Sequence, residues 1–179
     1  MRSTVFATCA ATLDHPGLFD RLRNEHFDVG YGEIIDSCGH AIFHIIGLNK
    51  TALVLSAGSL EGGFEVTGAP SVPSYVPGNM ATFGDEMTFF QRTSNLLSLV
   101  LFKAMVQLFG TSQYVFEQKF GSFPQIQELH AQSSLVFLNA DPLTDFPRPT
   151  VHKLIDIGGI TVASGHRPLN ANLKEKMQP

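Results

Sequence analysis

The stretch FDVGYGEIIDSCGHAIFHIIGLNKTALVLSA, residues 27–57, decides the fold. Phe27 to Glu33 reads as a short strand that runs out into a loop at Asp36. Ser37 can cap the helix that follows, because its hydroxyl can accept a hydrogen bond from a first-turn amide. Gly47 can end that helix, because glycine takes the left-handed conformation without steric cost. Thr51 to Ala57 is a continuous apolar run with no polar alternation, as in a strand covered on both faces. Strand, helix and strand at this spacing make a βαβ unit, which predicts an α/β fold with parallel strands and right-handed crossovers.

Working toward the N-terminus, residues 14–26 predict a helix. Asp14 caps it, Pro16 suits its first turn, and Leu18, Phe19 and Leu22 form an apolar stripe. The first residues, MRSTVFATCAATLDHPG, do not make a signal peptide, since one Arg precedes a weak apolar stretch interrupted by Thr. Toward the C-terminus, residues 58–84 are rich in Gly, Pro and Ser and too long for a simple connector, which is the usual mark of a functional loop. Asp85 then predicts the cap of a long helix over residues 86–109, apolar on several faces and so expected to be mostly covered. The most apolar part, Leu96 to Phe109, falls short of the roughly 20 residues a bilayer needs and is broken by Lys103. A further helix is expected near residues 122–131. Two more strands, SSLVFLNA (133–140) and VHKLIDIGGI (151–160), flank a connector stiffened by proline.

The chain has 179 residues, 44% hydrophobic and 16% charged, which fits one globular domain with a real core. Its net charge is −4 and its Lys and Arg residues are scattered, which argues against nucleic acid as the main partner. Cys9 and Cys38 are too few for a disulfide framework and have no zinc spacing; buried free thiols are expected, with a single bridge as the alternative.

Candidate chemistry gathers around one acid. Glu33 ends the first strand, and in open parallel sheets ligands bind beyond the carboxyl ends of the strands. Asp36, three residues on, reads as a helix-facing acid. His40 and His44 have the i, i+4 spacing of zinc ligands, but Ala41 stands where HExxH requires Glu, so no metal is expected. Ser56 and Ser59 lack the glycines of a nucleophile elbow, and GSLEGG lacks the ending of a phosphate loop. Phe64, Tyr75, Met80, Phe83, Phe89 and Phe90 lie in or just after the long loop, where they either line an apolar pocket or anchor the loop to the core. Asn49-Lys50-Thr51 is an N-glycosylation triplet, a pattern that also arises by chance.

Taken in order, FDVGYGEIIDSCG, SVPSYVPG, MTFFQR, DFPRP and IDIGGI resemble the N-terminal half of the animal UDP-glucuronosyltransferases, with a nematode-like flavour, over nearly the whole chain. The resemblance implies a Rossmann-like parallel sheet with flanking helices, an incomplete N-terminal half of a two-domain, GT-B type glycosyltransferase. Residues 1–160 would form the acceptor domain without its first strand or strands, and residues 161–179 a linker toward an absent domain that binds the UDP-sugar. It implies transfer of a sugar from UDP-glucuronate or UDP-glucose, the co-substrate, to a small lipophilic acceptor with inversion; this part binds no cofactor. Glu33 falls on the acid that orients the general-base histidine, where the vertebrate enzymes have Asp. Ser56, Phe64, Tyr75, Met80, Phe89 and Phe90 fall in the acceptor region. The base histidine itself would lie upstream of Met1, and none of the seven histidines matches it. The chain alone is therefore expected to be inactive, unstable in isolation and prone to associate. The full-length form would be anchored in the endoplasmic reticulum membrane facing the lumen, and able to form homo- or hetero-dimers. The alternative is a non-catalytic domain, a truncated relative that binds lipophiles or protein partners.

Overall fold

A computed structural model describes residues 4–35, 37–58, 64–109 and 113–162. Four parallel strands form one sheet in the order β1-β2-β3-β4: β1 Gly30–Glu33, β2 Thr51–Leu55, β3 Leu135–Leu138 and β4 Leu154–Asp156. The Rossmann-like α/β expectation holds, and the βαβ unit is present with strands shorter than the expected 27–33 and 51–57. Helix α3 (Ser37–Ile46) links β1 to β2 and ends at Gly47, whose φ of 80° is left-handed.

Residues opposite one another in the register share a face of the sheet. Gly30, Gly32, Leu53, Leu55, Val136 and Leu138 lie on one face. There the chain packs α3 so close to β1 that a Cβ on Gly32 would overlap the His40 ring, and one on Gly30 would come within 2.9 Å of the Phe43 ring. Two apolar clusters fill the interior. One joins Cys9, Leu13, Cys38, Ala41, Phe116, Ile126 and Leu129; the other joins Leu53, Leu55, Phe64, Ala69, Val136 and Leu138.

The opposite face is open. Tyr31 is 64% exposed, Leu135 39% and Ile155 38%, although purely parallel sheets are normally covered on both sides. Tyr31 and Phe137 stack at 6.2 Å across Ala52, which is buried. Val54 remains half-buried, so β2 is not sealed on both faces as its apolar run predicts.

Several elements differ from expectation. Residues 4–13 form a helix, α1 (Thr4–Leu13), which the sequence did not announce. Helix α2 spans only Leu18–Asn24, because Gly17 at its start is left-handed (φ 70°) and breaks it from what precedes. Asp14 does not cap it; its carboxylate pairs with Lys119 at 2.6 Å, and Lys119 also donates to the Leu13 carbonyl. The expected helix near 122–131 is the shorter α6 (Ile126–Ala131); α5 (Gln113–Phe120), which the sequence did not announce, precedes it across a turn at Gly121. Cys9 and Cys38 are not free thiols. Helix α1 lies beside α3 and places their Cα atoms 5.8 Å apart, within reach of a disulfide, and the two sulfurs are bonded.

The long helix α4 runs Phe89–Phe109 and starts later than Asp85 predicts. Thr88 and Gln91 form a reciprocal capping box: the Thr88 amide donates to Gln91 Oε1 (2.8 Å) and the Gln91 amide to Thr88 Oγ1 (3.4 Å). The helix is not covered. Asn95 and Leu99 are buried, but Phe89, Phe90, Leu96, Leu97, Val100 and Leu101 are all exposed.

Candidate functional site

The carboxyl ends of β1, β2 and β3 meet at Glu33. One carboxylate oxygen accepts the Ile34 amide (3.1 Å), the other the Ser56 amide just beyond β2 (3.1 Å). The Ser56 carbonyl in turn accepts from Asn139 Nδ2 at 2.9 Å, just beyond β3. Glu33, Ser56 and Asn139 thus form one connected rim along three strand ends. Asn139 was not singled out from sequence, where an Asn after an apolar run reads only as a strand terminator. Each Glu33 oxygen uses one lone pair on a backbone amide and keeps another, so the fixed, half-buried carboxylate can still accept from an imidazole or a hydroxyl. Among the described residues its hydrogen-bond partners are backbone amides; Asp36 lies outside the described residues, as does Ser59.

The long loop is held against α4 by polar contacts. Buried Asn95 accepts the Gly78 amide (2.8 Å) and donates to the carbonyls of Pro73 and Val76 (2.8 Å each). Lys103, which breaks the apolar run, pairs with Glu65, and Ser71 also donates to Glu65 at 2.7 Å. Partial burial works to raise the Glu65 carboxyl, but the hydrogen bonds from Lys103 and Ser71 and the Lys103 charge outweigh it and hold it below the usual value.

The aromatic candidates divide. Phe64 is buried in the second core cluster, with the Arg148 guanidinium 4.6 Å above its ring. Phe83 is half-buried. Tyr75 is 37% exposed, Met80 91%, Phe89 76% and Phe90 81%; Phe89 and Phe90 touch edge to face at 5.7 Å. Ser56 is exposed beside Glu33.

The histidines lie elsewhere. His40 points into the interior, where Nε2 meets Ser133 Oγ at 3.2 Å and the ring meets His130 at 4.7 Å. His44 is exposed and faces Phe123. Both border one cavity beside α3, and among the described residues no group of three or more His, Cys, Asp or Glu could hold a metal. Burial and the neighbouring His40 lower His130 to about 4. Among the described residues no helix is long and apolar enough to cross a membrane.

The family model described as UDP-glucoronosyl and UDP-glucosyl transferase matches residues 1–179. The chain is 28% identical over 158 residues to "Putative UDP-glucuronosyltransferase ugt-47" of Caenorhabditis briggsae, covering 87% of this chain and 29% of the relative. It is 30% identical over 168 residues to UDP-glucuronosyltransferase 1A7 of Mus musculus, covering 93% and 31%. It is 31% identical over 156 residues to UDP-glucuronosyltransferase 3A2 of Homo sapiens, covering 85% and 29%. The chain thus spans about 30% of the length of these relatives. No solved structure matches it significantly.

Proposed function

This chain belongs to the UDP-glucuronosyl and UDP-glucosyl transferase family, and from that premise we propose that it is the acceptor-side part of a sugar transferase. The whole enzyme moves a sugar from UDP-glucuronate or UDP-glucose to a small lipophilic acceptor. The acceptor oxygen attacks the anomeric carbon, the bond from that carbon to UDP breaks, and configuration inverts. A histidine from outside residues 1–179 takes the acceptor proton. The observation that carries this reading is the Glu33 carboxylate, fixed at the strand ends by two amides yet able to accept a further hydrogen bond. A carboxylate in that state can hold an imidazole in one tautomer and stabilise it when it charges.

In this reading Ser56, Tyr75, Met80, Phe89 and Phe90 meet the acceptor, with Phe64 as the packed floor beneath Arg148. Residues 1–160 act as the acceptor domain and residues 161–179 lead toward the part that binds UDP-sugar, so the chain alone does not turn over. The whole enzyme sits at the endoplasmic reticulum membrane on its lumenal side. The test is incubation of the whole enzyme with each UDP-sugar and a small phenol. The expected product carries the sugar in the anomeric form opposite to that of the donor. Retention, or no transfer from either donor, would remove the proposal.

The exposed apolar side of α4 favours a second reading, a non-catalytic domain that binds lipophiles or pairs with another copy or a related enzyme. Saturable phenol binding by the isolated chain, without turnover in the whole protein, would select it.

A further inference from the structure

Asn49-Lys50-Thr51 is the sequence's one N-x-[ST] triplet, and neither the fold nor the transferase chemistry uses its asparagine. Asn49 lies in the short connection between α3 and β2, where both it and Lys50 are exposed. Among the described residues its side-chain amide makes no hydrogen bond. A cavity of about 250 Å³ opens beside it, bordered by Phe43, His44, Leu48 and Gln132, so a bulky group there meets space rather than packed chain. The buried Cys9–Cys38 bridge supplies a second, independent observation. Such bridges form and persist in oxidising compartments, and the secretory lumen, where asparagine-linked sugars are added, is one of them.

We propose that Asn49 carries an N-linked oligosaccharide. The donor is a lipid pyrophosphate-linked oligosaccharide. The Asn49 amide nitrogen bonds to the sugar's anomeric carbon, the bond from that carbon to the pyrophosphate oxygen breaks, the lipid pyrophosphate leaves, and the amide proton passes to a base of the transferring enzyme. The timing follows from Thr51. Its hydroxyl shares a hydrogen bond with Ser133 (3.2 Å), and its carbonyl accepts the Ser134 amide (2.9 Å), so the folded chain has drawn the third residue of the triplet into the sheet. Modification therefore precedes the pairing of β2 with β3. The position also fits the rest of the molecule. Thr51 opens β2 and Glu33 is level with Val54, so Asn49 lies roughly 10 Å or more from Glu33 at strand rise, at the opposite end of the strands. A glycan there leaves the Glu33 rim clear.

The test expresses the protein in animal cells as wild type, Asn49→Gln and Thr51→Ser. Peptide mass spectrometry then follows enzymatic release of N-linked sugar, which leaves residue 49 deamidated. The expected result is release from wild type and Thr51→Ser, and none from Asn49→Gln. Because the sugar is added before folding, a variant that misfolds still reports. A wild-type chain without sugar at residue 49, whether its cysteines are bridged or free, overturns the proposal. So does an Asn49→Gln chain that still carries the sugar.

Discussion

His130 shows how much one buried ring can decide. It is 5% exposed, its neighbour is another histidine, and Nε2 has no hydrogen-bond partner among the described residues. The neutral form is therefore the one the fold accepts. Its folded value is about 4 against an ordinary 6.5, so the unfolded chain binds a proton that the folded chain refuses across that interval. Stability is complete above pH 6.5 and is lost as pH falls toward 4, by about 3 kcal/mol from this group. Chemical denaturation at stepped pH should show that slope, and His130→Phe should flatten it. Asn95 has the opposite role, a buried polar group with its bonds made. Asn95→Leu strands the Gly78 amide and the Pro73 and Val76 carbonyls. The expected cost is roughly 1–3 kcal/mol, with hydrogen exchange rising over residues 73–78. Neither role was legible in the sequence. A His or Asn among apolar residues looks the same whether it is buried and bonded or turned to water.

Glycines carried more of the sequence's legibility at the level of elements. Gly30 and Gly32 sit where a ring, and Gly158 where the backbone, approaches too closely for a side chain, whereas Gly159 has open space around it and a left-handed φ of 74°. A Cβ on Gly158 would lie 2.5 Å from the Ala140 backbone, which cannot yield as a side chain can. Gly158→Ala should therefore cost more than Gly32→Ala, where the His40 ring can shift; both fall in the range of about 1–3 kcal/mol or above, read as urea midpoints. Strands and the α3 crossover were readable because apolar runs, a Ser cap and a terminal Gly all agree locally. Helix α1 was not, because what fixes it is a bridge to α3 and contacts with the α5 and α6 region, none of them local. The bridge closes a loop of sequence separation 29 and should contribute roughly 3–4 kcal/mol, lost on reduction and in Cys9→Ser. Asp85 misled because a rival local cap lies three residues downstream. Asp85 directly precedes the expected start at residue 86, but Thr88 and Gln91 satisfy each other's amides and set the start at Phe89.

At the scale of the molecule, the sheet has one face packed and one open, and α4 turns an apolar side outward. Burial of such surface is the main favourable term in association. The isolated chain is expected to self-associate in sedimentation experiments, more strongly with rising salt that favours burial; a monodisperse monomer at all concentrations would show that these faces tolerate water. The family assignment supplies the expectation of what the carboxyl-end rim does, and Glu33 is where that expectation can be struck directly. The decisive measurement is UDP release coupled to transfer onto a small phenol by the whole enzyme, compared between wild type and Glu33→Gln. The amide keeps one acceptor oxygen but loses the charge that would hold a protonated imidazole. The expected result is a fall in kcat on the order of 10²-fold, with the acceptor KM little changed. A Glu33→Gln enzyme that turns over at the wild-type rate would contradict it.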